Sequence, residues 1–161
     1  MPKVLIIYSS RSGNTKKLAE AVASGVKEVA GVECEFKGVS EVSNGDLAAA
    51  DGIIVGSPVY FGTMSAEVKE MFDKSVAIRR RLEGKIGAAF ATSGHHTGGK
   101  ETTIFSILQA MLIHGMLIVG DPISAGGHYG VATVGNPDTD GINSGKALGK
   151  RVAEITKRLL R

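Results

Sequence analysis

The sequence predicts a three-layer α/β/α fold: one parallel sheet of five strands, covered by helices on both faces. Two observations predict it. Segments with an apolar face at helical spacing alternate along the chain with short apolar runs. Strands that are apolar throughout mark a sheet buried on both sides. The 161 residues suit one domain, spanning 1–161, with one core. Five strands alternating with helices suit the order 2-1-3-4-5, which places a ligand at the carboxyl ends of strands one and three, where the order reverses.

Each element has its own signal. Val4 to Tyr8 is the first strand. Thr15, Leu18, Ala19, Val22, Val26 and Val29 then recur as one helix face. Val32 to Phe36 is the second strand. Asp46 is expected to cap a short helix that runs to Ala50, and Gly52 to Gly56 is the third strand. Val68, Met71, Phe72 and Val76 mark the next helix, with Ser65 or Thr63 as its cap. Lys85 to Thr92 is the fourth strand, and Ile104, Ile107, Leu108, Met111 and Leu112 follow as a helix. Met116 to Val119 is the fifth strand. Leu148, Val152, Ile155 and Leu159 mark the last helix. No repeat, linker or low-complexity segment interrupts this order.

Composition narrows the function classes. Hydrophobic residues are 43% and charged residues 22%, as in ordinary globular proteins. No apolar run is long enough to span a bilayer, and Met1-Pro2-Lys3 leads into a strand without a signal peptide, so no membrane association and a cytoplasmic protein are expected. The net charge is +3, but the only dense basic run is Arg79-Arg80-Arg81, expected as a solvated loop. That is too little basic and aromatic patterning for nucleic acid. The single cysteine, Cys34, excludes a disulfide framework or a cysteine-ligated cluster within one chain, and suits a core or edge position. Adjacent His95 and His96 seldom aim at one ion, so no metal site is expected.

Three loops carry the chemistry. The first is Ser10-Arg11-Ser12-Gly13-Asn14-Thr15, between the first strand and a helix. A helix N-terminus presents unpaired N–H groups and the positive end of its dipole, which together bind anions. Hydroxyls of Ser10, Ser12 and Thr15 add donors, and Gly13 permits close approach. Neither the triphosphate loop nor the dinucleotide fingerprint is present. A terminal phosphate ester held without a metal fits better. The second loop is Ser57-Pro58-Val59-Tyr60-Phe61-Gly62, followed by Thr63-Met64-Ser65. Its adjacent aromatics suit a flat apolar ring. The third is Thr92-Ser93-Gly94-His95-His96-Thr97-Gly98-Gly99, whose glycines allow backbone amides to reach a ring edge.

The first loop resembles the FMN-phosphate loop of flavodoxins: Ile6, Ile7, Tyr8, Ser10, Gly13 and Thr15 fill each fixed position. The whole chain, through SPVYFGTMS, SGHHTGGKETT, HGM at 114 to 116 and GGHYG at 126 to 130, resembles the Trp-repressor-binding protein (WrbA) family, FMN-dependent NAD(P)H:quinone oxidoreductases. That resemblance implies a flavodoxin-like fold, FMN as cofactor, NADH or NADPH as co-substrate and a small-molecule quinone as acceptor. It implies that the second loop lies along the flavin and the third binds its pyrimidine edge. It also implies that His114, His128 and Tyr129 face the flavin pocket as catalytic residues, partly across a subunit contact. A homodimer or homotetramer is expected, because helix faces remain unused by the sheet. The sequence departs from the family in lacking its long insertion and any tryptophan. The rival reading is a flavodoxin that carries electrons between proteins; a third is a flavin-dependent sensor.

Overall fold

The computed structural model describes residues 1–160. Its strands are β1 (Lys3–Tyr8), β2 (Glu33–Gly38), β3 (Gly52–Pro58), β4 (Ile86–Ser93), β5 (Leu117–Ile118) and β6 (Val131–Val134). The helices are α1 (Asn14–Lys27), α2 (Asn44–Ala49), α3 (Ala66–Lys74), α4 (Lys100–Ile113) and α5 (Thr139–Leu159). All strand pairings are parallel and the order is β2-β1-β3-β4-β5, as the sequence predicts. Helices cover both faces, and the fold is flavodoxin-like.

The fifth position differs from expectation. It is shared by two segments: β5 pairs with Ile86 and Gly87, and β6 pairs with Phe90 to Ser93. The expected strand from Met116 to Val119 is cut short because the chain leaves the sheet there. A Cβ on Gly120 would sit 2.1 Å from the His128 carbonyl, so the two ends of the excursion pinch together at a residue without a side chain. Pro122 follows and cannot donate to a ladder. The Asp121 carboxylate accepts the Gly127 and His128 N–H groups (3.2 and 2.8 Å), which closes the loop before β6.

Helix starts are set by side chains. Ser43, not Asp46, caps α2; its Oγ accepts the Asp46 N–H (3.2 Å), and the Asp46 carboxylate accepts the Ser43 N–H (2.8 Å). Asp46 is the N3 residue of a capping box, so the expected cap is corrected by three positions. Ser65 caps α3 through the Val68 N–H, and Asp138 caps α5 through the Gly141 N–H. After α3 the chain tightens into a 3₁₀ turn, Ser75–Arg81, which carries exposed Val76 and Arg79 to Arg81. That turn replaces the expected helix end and loop.

Strand side chains alternate between two cores. Leu5, Ile7, Val55 and Ala89 pack beneath α2, α3 and α4 with Met71, Ile104 and Ile107. Val4, Ile6, Ile54 and Phe90 pack beneath α1 and α5 with Leu18, Val22, Leu148 and Val152. The two helices of the second layer touch backbone to backbone: a Cβ on Gly149 would lie 2.0 Å from the Val22 carbonyl. Cys34 lies half-buried on the edge strand β2, where burial pushes its thiol pKa up.

Candidate functional site

The carboxyl ends of β1, β3 and β4 bring the three loops to one edge of the sheet. The first loop turns at Gly13 (φ 95°), which precedes α1 and offers no side-chain cap. Ser10 Oγ accepts the Gly13 N–H at 3.1 Å, fixing the turn. The remaining first-turn N–H groups of α1 therefore face an opening that no side chain of the cap position fills. Thr15 Oγ1 and Thr92 Oγ1 lie 2.7 Å apart and buried, a hydroxyl pair that ties the start of α1 to the end of β4. Ser12 and Asn14 complete the loop beside them.

The second loop is braced from within. Buried Ser57 accepts the Ser65 N–H (2.8 Å) and donates to the Pro58 carbonyl (2.7 Å), so its hydroxyl shapes the loop base. Val59 donates to the Thr92 carbonyl (2.8 Å), linking the second loop to the third. Tyr60 and Thr63 exchange two backbone bonds of 3.1 Å, closing a tight turn. Phe61 and Gly62 form its apex, at φ 49° and 76°. Phe61 is the one described non-glycine residue with positive φ, and its side chain is fully exposed (107%). A large aromatic in left-handed backbone and in water is held there against both sterics and hydration. Arg11 reaches across from the first loop, its Cζ 4.6 Å from the Tyr60 ring centroid.

The third loop bends on itself. Ser93 Oγ donates to the His95 carbonyl (2.7 Å), and His95 Nδ1 accepts the Thr97 N–H (3.2 Å). Gly98 donates to the His95 carbonyl at 3.1 Å. Gly99 precedes α4 at φ 102°, again without a side-chain cap, and a Cβ there would meet Gly62 Cα at 2.7 Å. Gly94 has open space around its Cβ direction. Two uncapped helix starts thus lie on the same edge of the sheet as an exposed aromatic turn.

His96, His128 and Asp121 line a neighbouring cleft of about 420 Å³. The His128 imidazole is exposed, with Nδ1 3.6 Å from the buried Asp121 carboxylate. Tyr129 packs against Phe105 of α4, ring centroids 4.4 Å apart and the planes tilted by 50°. His114 lies elsewhere. It follows α4, beside Gly115, whose carbonyl accepts the Gly84 N–H near the start of β4. The eight residues of β4, roughly 25 Å of strand, separate it from the three loops. Its Nδ1 is 2.6 Å from the Ala110 carbonyl and its Nε2 2.8 Å from Ser75 Oγ. Within one chain the structure joins His128 and Tyr129 to the neighbourhood of the loops and does not join His114.

Sequence reasoning missed Asp121, the brace of the 120–130 loop, and the turn after β6, where Gly135 donates to the Ser93 carbonyl (2.8 Å). Both depend on β6, whose four residues carry little signal. Among the described residues, no group of three or more His, Cys, Asp or Glu side chains is placed to hold a metal ion, and no helix is long and apolar enough to cross a membrane.

The model of a family of NADPH-dependent FMN reductases matches residues 41–130, more than half the chain. This chain belongs to that family. A family relative from Archaeoglobus fulgidus, an NAD(P)H dehydrogenase (quinone), is 38% identical over 191 aligned positions, covering 99% of this chain and 100% of the relative. A flavodoxin from Aquifex aeolicus is 39% identical over 160 positions, covering 96% and 86%. The solved structure of a WrbA-like flavodoxin from Agrobacterium tumefaciens superposes with a TM-score of 0.85 at 24% identity, covering 98% of this chain and 99% of that one. The fold described above is thus the flavodoxin-like fold. Aligning 161 residues over 191 positions leaves at least 30 positions of that alignment without a counterpart here.

Proposed function

We propose that the protein binds FMN across the three loops and carries out two-electron reduction of a quinone by NADH or NADPH. The observation that carries this reading is the uncapped start of α1 at Gly13, on the same sheet edge as the exposed Phe61 turn. One end suits a phosphate and the other a flat apolar ring. Family membership and the named quinone dehydrogenase relatives support the same reading.

When bound, FMN supplies the acceptance of hydride and its onward transfer. The chain's own residues do the rest. Amides at the start of α1, with Ser10, Ser12 and Thr15, would hold the phosphate. Phe61 would flank the ring, and amides of residues 94–99 would meet its polar edge. His128 and Tyr129 offer hydrogen bonds to a quinone oxygen as negative charge develops there. Asp121 keeps both in place by tying down the preceding turn. His114 contributes to a pocket of this kind only from a neighbouring subunit. Exposed Phe105, Leu112 and Ile113 on α4, with Leu117 beside them, support a homodimer or homotetramer built on that face.

Replacing Ser10 or Thr15 with Ala weakens FMN binding by roughly 1–3 kcal/mol, the range for hydrogen bonds to charge. Fluorescence titration of FMN measures it, and unchanged affinity in both variants removes the phosphate-loop assignment. The second reading, an electron carrier serving protein partners, is favoured by the match in length to another flavodoxin relative, aligned over 160 positions that cover 98% of this chain and 99% of that one. It predicts no turnover of NAD(P)H with quinone.

A further inference from the structure

We propose that Arg11 is a positioning residue: a strap that ties the phosphate loop to the ring loop and sets how slowly FMN leaves. It rests on the reading that FMN is the ligand. Arg11 sits between Ser10 and Ser12, yet its guanidinium leaves that loop. It lies over the Tyr60 ring, 4.6 Å from the centroid, and its Nη2 is 3.5 Å from Glu67 Oε1. Tyr60 belongs to the second loop and Glu67 to the first turn of α3. One side chain thus bridges the two elements assigned to opposite ends of the cofactor.

Both anchors are fixed without a ligand. Tyr60 is clamped by its double bond to Thr63. The Glu67 backbone N–H and the Ser65 hydroxyl, helped by Arg11, hold the Glu67 carboxyl below its ordinary range. That carboxylate also sits where the α3 dipole favours negative charge. Arg11 covers one face of the Tyr60 ring. Phe61, next along the turn, is left as the aromatic free to flank an incoming ring. Release of FMN then requires the strap to break or the two loops to part.

Each contact is exposed and individually modest, so the expected change is a rate factor rather than loss of binding. The experiment loads the protein with FMN, dilutes it and follows recovery of free-flavin fluorescence. Arg11→Met, Tyr60→Leu and Glu67→Gln each release FMN about 3- to 10-fold faster. The double variant Arg11→Met/Tyr60→Leu is no faster than the quicker single variant, because the contact is shared. Urea unfolding of the FMN-free variants controls for damage to the fold. Wild-type release in Arg11→Met overturns the strap. So does acceleration in Arg11→Met with none in Glu67→Gln, which would make Arg11 a plain phosphate ligand. A wild-type protein that takes up no FMN overturns the FMN reading itself, and is told apart by the loading step.

Discussion

Phe61 shows most directly what a single residue contributes. Its turn requires left-handed backbone at two successive positions, and glycine fills only the second. Left-handed backbone costs a side chain about 1–2 kcal/mol, which glycine escapes. Phe61→Gly is therefore expected to raise the stability of the FMN-free protein by about 0.5–1 kcal/mol, after the added freedom of the unfolded chain is counted. The same variant loses FMN more readily. Urea unfolding and flavin titration check the two halves; a less stable FMN-free variant contradicts the strain argument. Sequence alone shows that two aromatics adjoin in a loop. It does not show that one is clamped under Arg11 and the other strained into solvent, because that division depends on contacts across loops. His114 is the converse case. The family resemblance implies a pocket role for it, partly across a subunit contact, and within one chain its ring nitrogens lie beside the Ala110 carbonyl and Ser75 Oγ.

At the scale of elements, the sequence shows long and periodic segments well and short ones poorly. β1, β3 and β4 are continuous apolar runs, and α1 and α5 carry clear apolar faces. β6 is four residues after a glycine-rich stretch, and its pairing with β4 is a long-range event that local pattern does not encode. The α2 cap was displaced for a local reason: Ser43 and Asp46 compete for one role, and the three-residue spacing of a capping box decides it. That box has a pH signature. Lys37, then the Ser43 N–H and hydroxyl, lower the Asp46 carboxyl from 3.8 to about 2. A depressed acid stabilises the folded state above its unfolded pKa, so the contribution is complete above about pH 4 and fades as pH falls toward 2. Asp46→Asn is expected to remove that part of the acid dependence and to lower neutral stability by about 1 kcal/mol, the usual worth of a lost hydrogen bond. Unfolding midpoints between pH 2 and 7 test it; an unchanged acid limb would count against the pairing.

The contact of α1 with α5 is an element-scale dependence with a consequence at the site. Gly149→Ala gains up to about 1 kcal/mol of helix propensity. It also drives a Cβ to 2.0 Å from the Val22 carbonyl. Overpacking of this kind costs about 1–3 kcal/mol, and a backbone atom cannot rotate away, so the variant is expected to be less stable. Because Gly13 and Thr15 lie at the start of α1, parting the helices is also expected to loosen the first loop. A Gly149→Ala protein at least as stable as wild type in urea would refute this.

For the whole molecule, order along the chain makes the function legible. A parallel sheet with its reversal between β1 and β3 forces the loops after β1, β3 and β4 to one edge, so three separate motifs meet there. What the sequence leaves open lies where the chain departs from regular structure: the 119–130 excursion, the 3₁₀ turn at 75–81 and the exposed side of α4. The decisive test of the whole is to load the protein with FMN, exclude oxygen, and follow the flavin absorbance as NADH and then NADPH are added. Rapid bleaching of the flavin band by one of them, with the colour restored by a quinone, is the expected result. A flavin that stays bound and coloured with both nucleotides would contradict the enzyme and leave a carrier that waits for a protein reductase.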